Sequence, residues 1–361
     1  MEKLISAIGF IKNMVGNKEF QTKHKTNRCD FTKECLLGFE KVMLFVLGRT
    51  NTLLDFEILN FCEKQGMEHF SKAAMVEARK KVCFKAFRRV LQNLSHVLPK
   101  DKLYKGYQLV GVDGTQLQLP KSPAITKIYG TKRDNCNWSR AHIVSFYDVL
   151  NHSYLDATFD SYPCDERQAA IKMLDESFTM QPQIYLLDRG FPSIGMIQKF
   201  NDVDKKFVFR VPKNFSAEAM AFISSGQYDV CTSITYTKSR TRTNRTSEDL
   251  LLPYTFNIRF VKFILESGEE EILMTNLFDD EFSKDELYAL YGLRWGIETS
   301  YNHEKNRSMI EQWGSILENS IKQEFYSALI LHNLTTLLKN QAQIKHDEKN
   351  LISHPLNTNI M

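Results

Sequence analysis

Cysteine motifs are missing from this sequence. Its seven cysteines are odd in number and widely spaced, and none belongs to a CxxC pair. Zinc ribbons and disulfide frameworks depend on regularly paired cysteines, so the sequence favours neither. Unpaired cysteines of this kind are typical of proteins in a reducing compartment, and we therefore expect a cytoplasmic location.

Long apolar runs are also scarce. The longest one, residues 36–47, is interrupted by Glu40 and Lys41, and is too short and too charged to span a bilayer. Residues 1–17 have the pattern of an amphipathic helix and lack a small-residue cleavage site, so they do not predict a signal peptide. We expect no membrane partner.

The common nucleotide and hydrolase motifs are absent as well. The sequence contains no GxxxxGK[ST], no GxGxxG after a strand, and no GxSxG or QxCxG context for a nucleophile. His142, His152 and His303 lack metal-ligand spacing with other His or Cys residues, so we expect ordinary core or surface histidines.

What is present is the composition of a globular protein large enough for two or three cores. The chain has 361 residues, of which 43% are hydrophobic, with 25 Phe and 14 Tyr. The net charge is +4. So mild an excess permits a nucleic-acid partner without arguing for one, and the placement of the charge is more informative.

The first hundred residues have apolar positions at helical spacing and end in a basic stretch. The segment 71–94 is predicted to be one helix, and Glu77 is its only acid. Such a helix can follow a phosphate backbone, although the run alone slightly favours a basic face that only meets solvent. Its basic residues are Lys72, Arg79, Lys80, Lys81, Lys85, Arg88 and Arg89.

From residue 107 the apolar period changes to two, which predicts strands. The order of patterns is three strands, helix, strand, helix, strand, and this order indicates a mixed sheet flanked by helices. Asp113 lies within the first strand and Asp188 follows a buried strand at 184–187. Gly114 and Gly190, close behind the aspartates, are expected to leave the backbone open to a phosphate.

The segment 291–305 is predicted to be one helix with an unusual charged stripe. Tyr291, Arg294, Glu298 and Lys305 are spaced by three, four and seven residues and share a face, whereas Glu304 points the opposite way. Trp295 lies within the same sector. The stripe is explained either by phosphodiester chemistry or by a solvated face of Arg–Glu pairs.

If Asp113, Asp188 and Glu298 converge, their carboxylates repel one another unless a cation neutralises them. Hard divalent ions such as Mg²⁺ prefer these oxygen ligands, and a pair of them clamps an in-line phosphoryl displacement. Arg294 and Lys305 would then supply positive charge for flanking phosphates.

Three blocks of the chain resemble a known family. GVDGTQLQLP, YLLDRGFPS and the helix with Tyr-(2)-Arg-(3)-Glu-(6)-Lys spacing are similar to the DDE transposases of bacterial insertion sequences. The resemblance runs from about residue 30 to residue 338. It implies a ribonuclease-H-like α/β core, with a β-rich insertion before the third acid and an all-helical N-terminal domain.

The resemblance also implies an activity and a division of the chain. Asp113, Asp188 and Glu298 would hold two Mg²⁺ or Mn²⁺ ions, and the enzyme would cut transposon ends and join the 3′ ends to target DNA. Tyr291, Arg294 and Lys305 would grip phosphates, and a homodimer would bridge two double-stranded ends near the nucleoid. The expected division is a DNA-binding domain (1–100), the catalytic core (101–212), the insertion (213–276), the core helices (277–345) and a flexible tail (346–361).

Two other functions remain open at this point: a DNA-binding derivative without catalysis, and a metal-dependent nuclease without strand transfer. The insertion also lacks the tryptophan on which better-understood relatives stack a flipped base. Tyr228, Tyr236 or Tyr254 could replace it.

Overall fold

The computed structural model describes residues 2–33, 35–49, 52–131, 138–177, 179, 181–237, 252–278, 280–306 and 310–353, with side chains up to residue 342. Its helices are α1 (Glu2–Gly16), α2 (Lys18–His24), α3 (Phe39–Leu47), α4 (Leu54–Gln65), α5 (Lys72–Lys80), α6 (Lys85–Val97), α7 (Pro123–Tyr129), α8 (Glu166–Glu176), α9 (Ile194–Asp202), α10 (Ala217–Ser224), α11 (Lys284–Gly292), α12 (Trp295–Asn306) and α13 (Glu318–Ser353). Its strands are β1 (Gln108–Gln118), β2 (Arg140–Asp148), β3 (Ser153–Ala157), β4 (Asp160–Ser161), β5 (Gln183–Leu187), β6 (Lys206–Arg210), β7 (Asp229–Tyr236), β8 (Tyr254–Ile264) and β9 (Glu270–Thr275).

All of these strands belong to one mixed sheet. Their order is β3-β2-β1-β5-β6-β9-β8-β7, and β4 pairs with β2. β1 is antiparallel to β2 and parallel to β5, which is in turn parallel to β6. β5 is buried at every position, as expected of a central parallel strand covered on both faces. The predicted α/β fold, a mixed sheet flanked by helices, is confirmed.

Each face of the sheet carries its own hydrophobic cluster. On one face Val112 and Phe146 of the sheet pack with α8 and α9, for example through Met173 and Ile197. On the other face the apolar side chains of α1, α3, α5, α6, α12 and α13 join those of the sheet in one continuous cluster. The N-terminal helices therefore share a core with the central sheet, and the expected boundary near residue 100 does not separate two cores.

The basic segment 71–94 is two helices, not the single helix that its periodicity predicted. Between α5 and α6, side chains of α13 form hydrogen bonds with the backbone N–H and carbonyl groups. The Asn319 carboxamide accepts from the Phe84 N–H and donates to the Val82 carbonyl, to which Gln323 also donates. These bonds replace the helical ones that residues 82–84 would otherwise need, so tertiary contacts override the local pattern.

The segment 213–276 is β-rich, as expected, but it extends the core sheet instead of forming a separate unit. β6 pairs with β9 in an antiparallel ladder, and β8 and β7 follow outward. The predicted exposed basic loop at 235–249 lies outside the described residues from position 238 onward.

The end of the chain is more helical than expected. α13 continues to Ser353, into the segment predicted to be a flexible tail, and residues 354–361 lie outside the described part. None of the described helices is both long and apolar enough to cross a membrane.

Candidate active site

The two aspartates lie side by side because of the strand register. β1 and β5 are parallel, and Val112 pairs with Leu187 at the end of the ladder. The next residues in the chain are Asp113 and Asp188, so they occupy equivalent positions on neighbouring strands, about 4.8 Å apart between backbones. Both carboxylates are thus delivered to one edge of the parallel part of the sheet, where order reverses and functional groups gather.

Helix α12 brings the third acid to this edge by running along β1. Ile297 packs on Gly111, the Tyr301 hydroxyl donates to the Asp113 carbonyl at 2.8 Å, and Lys305 donates to Thr115 at 2.7 Å. A β-carbon at Gly111 would lie 3.3 Å from Ile297 Cγ2 and 3.0 Å from Val149 Cγ1. The close approach of α12 to β1 therefore depends on glycine at this position.

Arg294 lies among the acids. Its Nη2 donates to Glu298 Oε1 at 2.7 Å, although the residue is only 3% exposed. Burial opposes the charge of Arg294, but Tyr291, Asp188 and Glu298 outweigh burial and raise its pKa. Its Nε and Nη1 are buried and find no hydrogen-bond partner among the described residues. A buried cation with two unused donors is thus held at the point where the acids meet.

Asp188 has two further neighbours at this edge. The Tyr291 hydroxyl lies 3.4 Å from Asp188 Oδ1, and Arg210 of β6 approaches the same oxygen to 3.8 Å. Burial raises the pKa of the Tyr291 hydroxyl, so this group stays a neutral hydrogen-bond donor at physiological pH.

The pKa of Asp113 is raised because its carboxyl group is buried close to other negative charges. Burial raises its pKa to about 6, against the opposing effects of the Gly114 N–H and Arg294, and the negative charges of Glu298 and Glu166 add to the rise. A divalent cation would remove this penalty, and carboxylate oxygens are the ligands that such ions prefer. The residues present therefore fit a hard divalent metal ion.

The segment 291–305 is not one helix, so the prediction of a continuous charged stripe along a single helix is wrong. α11 ends at Gly292 and α12 begins at Trp295, and Arg294 lies in the turn between them. Tyr291 and Arg294 nevertheless remain beside Asp188 and Glu298 because the turn folds them back over the acids. Lys305 lies farther along β1, and burial lowers its pKa, an effect that Glu311 and Asp113 oppose.

Glu166 is a fourth carboxylate that the sequence did not single out. It sits at the start of α8, and a β-carbon on Gly114 would lie 2.1 Å from Glu166 Oε1. His142 Nε2 lies 2.7 Å from the same oxygen. The space that Gly114 was expected to leave for a phosphate is therefore filled by Glu166. No local pattern signals this group, because it meets Gly114 and His142 only in the folded sheet.

The predicted DNA-binding residues of α5 and α6 differ in their environment, and two of them are corrected. Arg79 is 5% exposed, and its guanidinium donates to Gln323, to the Ser320 carbonyl and to Glu324. Arg88 is bound to Asp156 through two hydrogen bonds and to Glu176 by an ion pair, which raises its pKa although burial opposes the charge. Both side chains are committed within the fold and are not free to contact DNA. Lys80, Lys81 and Arg89 are exposed.

Among the candidate aromatic side chains, Trp295 is the most accessible. It is 59% exposed and its ring lies 5.3 Å from Arg294 Cζ, next to the acids. Tyr236 is buried, and the Tyr254 hydroxyl accepts a hydrogen bond from Asn201. Tyr228 is half-exposed and lies under Lys262. The aromatic surface nearest the acids is therefore on α12 and not in the insertion.

Three acids on two parallel strands and a helix, with a buried arginine beside them, are an arrangement that suits divalent metal ions acting on phosphodiesters. Residues 104–334 match the family described as the transposase DDE domain. This match covers more than half of the chain, so the chain belongs to the DDE transposase family, whose members generally use divalent metal ions.

Comparison with solved structures finds a fold similar to that of a piggyBac transposase in a synaptic complex with hairpin DNA, determined by cryo-EM. The TM-score is 0.48 at 9% sequence identity, over 93% of this chain and 76% of the other. A comparison with curated proteins finds no significant match.

Proposed function

We propose that this transposase cuts DNA at the ends of its own element and joins the freed 3′ ends to target DNA. In the first step the oxygen of water forms a bond to phosphorus and the bond to the 3′ oxygen breaks, which leaves a 3′-hydroxyl. In the second step that hydroxyl attacks a target phosphodiester, and the displaced target oxygen leaves as a new 3′-hydroxyl. The observation that carries the proposal is the convergence of Asp113, Asp188 and Glu298 around the buried Arg294.

We assign Asp113, Asp188 and Glu298 as the ligands of two Mg²⁺ or Mn²⁺ ions. When bound, such ions stabilise the charge on the attacking and leaving oxygens. The protein supplies the positions of the ligands: the β1–β5 register fixes the two aspartates, and the packing of α12 on Gly111 fixes the glutamate.

Arg294 is assigned to the phosphate next to the cleaved bond. Its Nε and Nη1 hydrogens have no partner and can each donate to a phosphate oxygen, and its Nη2 already donates to Glu298 beside the other acids. Tyr291 contributes a neutral donor, Lys305 a charge near Thr115, and Trp295 an exposed surface for a base.

The exposed Lys80, Lys81 and Arg89 are proposed to follow the DNA backbone outside the catalytic edge. Together with the N-terminal helices they would bind the terminal inverted repeats. The chain would act as a homodimer that holds two ends at once.

The test uses the purified full-length chain, Mg²⁺ and a duplex that carries the terminal sequences flanking the gene. We expect nicking followed by joining to a target plasmid, and no nicking by Glu298→Gln. Nicking without joining would favour a nuclease, and binding without nicking would favour a DNA-binding derivative. Normal nicking by Glu298→Gln would overturn the assignment of the third acid.

A further inference from the structure

A second group of potential metal ligands lies on another face of α12, about 120° around the helix from Glu298. Glu304 of α12 is 4% exposed and faces the long helix α13, away from the catalytic acids. His332 Nδ1 lies 2.7 Å from Glu304 Oε1, and His303 Nδ1 lies 3.3 Å from the same oxygen. The three potential ligand atoms lie within 4.8 Å of one another.

The hydrogen bonds of His332 show that a proton or a metal ion must lie at its Nδ1. Its Nε2 lies 3.1 Å from the carbonyl oxygen of His152, so Nε2 carries a proton and donates it. In the neutral ring Nδ1 then has a lone pair, which points at a carboxylate oxygen. Two acceptors at 2.7 Å repel each other unless a proton or a metal ion lies between them.

The surroundings of Glu304 lead to the same requirement. The basic side chains that the structure places within ion-pair distance of this buried carboxylate are the two histidines, and neither carries charge in its neutral form. The rings of Tyr147 and Tyr154 pack edge-on against His332 and keep its far side apolar. An ionised carboxylate in such a place is costly without a positive charge beside it.

We propose that His303, Glu304 and His332 bind a Zn²⁺ ion that fastens α12 to α13. Two imidazole nitrogens and one carboxylate oxygen suit this borderline-soft ion, with water as the fourth ligand. The His152 carbonyl orients His332 through its other nitrogen, which is the usual outer-shell contact of a histidine ligand. Tetrahedral ligands of zinc stand about 3.3 Å apart, so the 2.7 Å contact opens by about half an ångström on binding.

Access and position distinguish this site from the catalytic one. The side chain of His303 is 35% exposed and gives the ion a route from solvent, whereas those of Glu304 and His332 are largely covered. Glu298 lies six residues from Glu304 on the same helix, so an ion between α12 and α13 would hold the helix that carries the third catalytic acid.

The test measures Zn²⁺ binding to the full-length chain by competition with a chromophoric chelator, with excess Mg²⁺ present to occupy the catalytic acids. We expect one Zn²⁺ ion per chain, and an affinity at least about 100-fold weaker in His332→Gln and in His303→Gln, since loss of even an outer-shell partner costs up to that factor. His69→Gln, which changes an exposed histidine, is the matched control and should bind as the wild type does.

Zn²⁺ should also raise the Tm of the wild type but not that of His303→Gln, because a ligand of the folded state stabilises it by mass action. His303 is half-exposed, so this variant is expected to fold even where His332→Gln does not. The proposal is overturned if the wild type binds no more Zn²⁺ than His303→Gln, or if Glu298→Gln abolishes Zn²⁺ binding while His303→Gln leaves it intact.

Discussion

Glu298 and Glu304 belong to the same helix and are the same residue type, yet they lie in opposite environments. Glu298 has a side chain that is 31% exposed and pairs with Arg294 beside Asp113. Glu304 is 4% exposed and faces two histidines. Their six-residue separation places them on different faces of an α-helix. We therefore propose that one face of α12 serves the chemistry and another its attachment to α13.

The largest expected effect separates these two faces directly. Glu298→Gln removes a metal ligand, so DNA cleavage should fall by more than about 100-fold, the upper end of the cost of losing an outer-shell partner. Thermal unfolding should change less, because the carboxamide that replaces the carboxylate can still accept a hydrogen bond from the buried Arg294. Glu304→Gln is the matched substitution, and it should keep most of the cleavage activity but lower the Tm. Equal loss of cleavage in both variants would erase the functional distinction between the faces.

The same contrast of burial applies to the arginines of the N-terminal helices. Arg79→Ala leaves Glu324 without one of its partners, and breaking a buried pair costs about 3–5 kcal/mol in the free energy of unfolding. Arg89→Ala changes an exposed side chain and should cost less than about 0.5 kcal/mol.

Urea unfolding measures the free energy of unfolding of both variants. The salt dependence of DNA binding tests whether Arg89 contacts a phosphate. In a plot of the logarithm of the binding constant against the logarithm of salt concentration, the slope for Arg89→Ala should be less steep by the amount of about one phosphate contact. If Arg79→Ala proves as stable as the wild type and binds DNA more weakly, our internal assignment of Arg79 is wrong.

The catalytic face should also depend on the contact of α12 with β1. Gly111→Val introduces a side chain where Val149 and Ile297 leave no room, and overpacking costs about 1–3 kcal/mol. Cleavage should fall as well, because α12 moves away from the aspartates. Gly9→Ala is a suitable control, since a β-carbon there has no neighbour within 4 Å. Chemical unfolding and a nicking assay test this, and unchanged activity in folded Gly111→Val would show that the helix position is not critical.

The smallest expected effect is the pH dependence of metal binding at the catalytic face. The pKa of Asp113 is raised to about 6, so in the metal-free protein the proton stabilises the folded state below pH 4, and this stability is lost as pH rises from about 4 to 6. A metal ion must displace this proton, so its affinity should fall about tenfold per pH unit below 6.

Calorimetry in buffers of different ionisation enthalpy measures the released proton. Asp113→Asn should abolish both the release and the pH dependence. A wild-type affinity that does not vary between pH 5 and pH 7 would contradict the charge shortage that we infer at this edge.

The sequence singled out the three candidate catalytic acids because each lies in a recognisable local context. Asp113 and Asp188 end or interrupt buried strands, and the spacing of Glu298 from Tyr291, Arg294 and Lys305 is a property of the chain alone. The periodicity of the flanking segments was also enough to predict the mixed sheet and the helices around it. The catalytic roles of the three acids are predictions that the measurements above test.

The remaining features depend on contacts between distant parts of the chain. The breaks in the segments 71–94 and 291–305 carry no proline, and the first of them is stabilised by hydrogen bonds from α13. Arginine is usually found at the surface, and the sequence around Arg79 gives no sign that α13 covers it and supplies its hydrogen-bond partners. Glu166 and His332 likewise acquire their neighbours through folding, which spacing along the chain does not reveal.

The central claim is that Asp113, Asp188 and Glu298 form one metal site, and Mn²⁺ titration calorimetry tests it most directly. The titration is made in a His303→Gln background, which removes one ligand of the second group at a half-exposed position. We predict two Mn²⁺ ions per chain there, and the loss of at least one when Asp113→Asn, Asp188→Asn or Glu298→Gln is added. Unchanged stoichiometry and affinity in all three variants would contradict the claim.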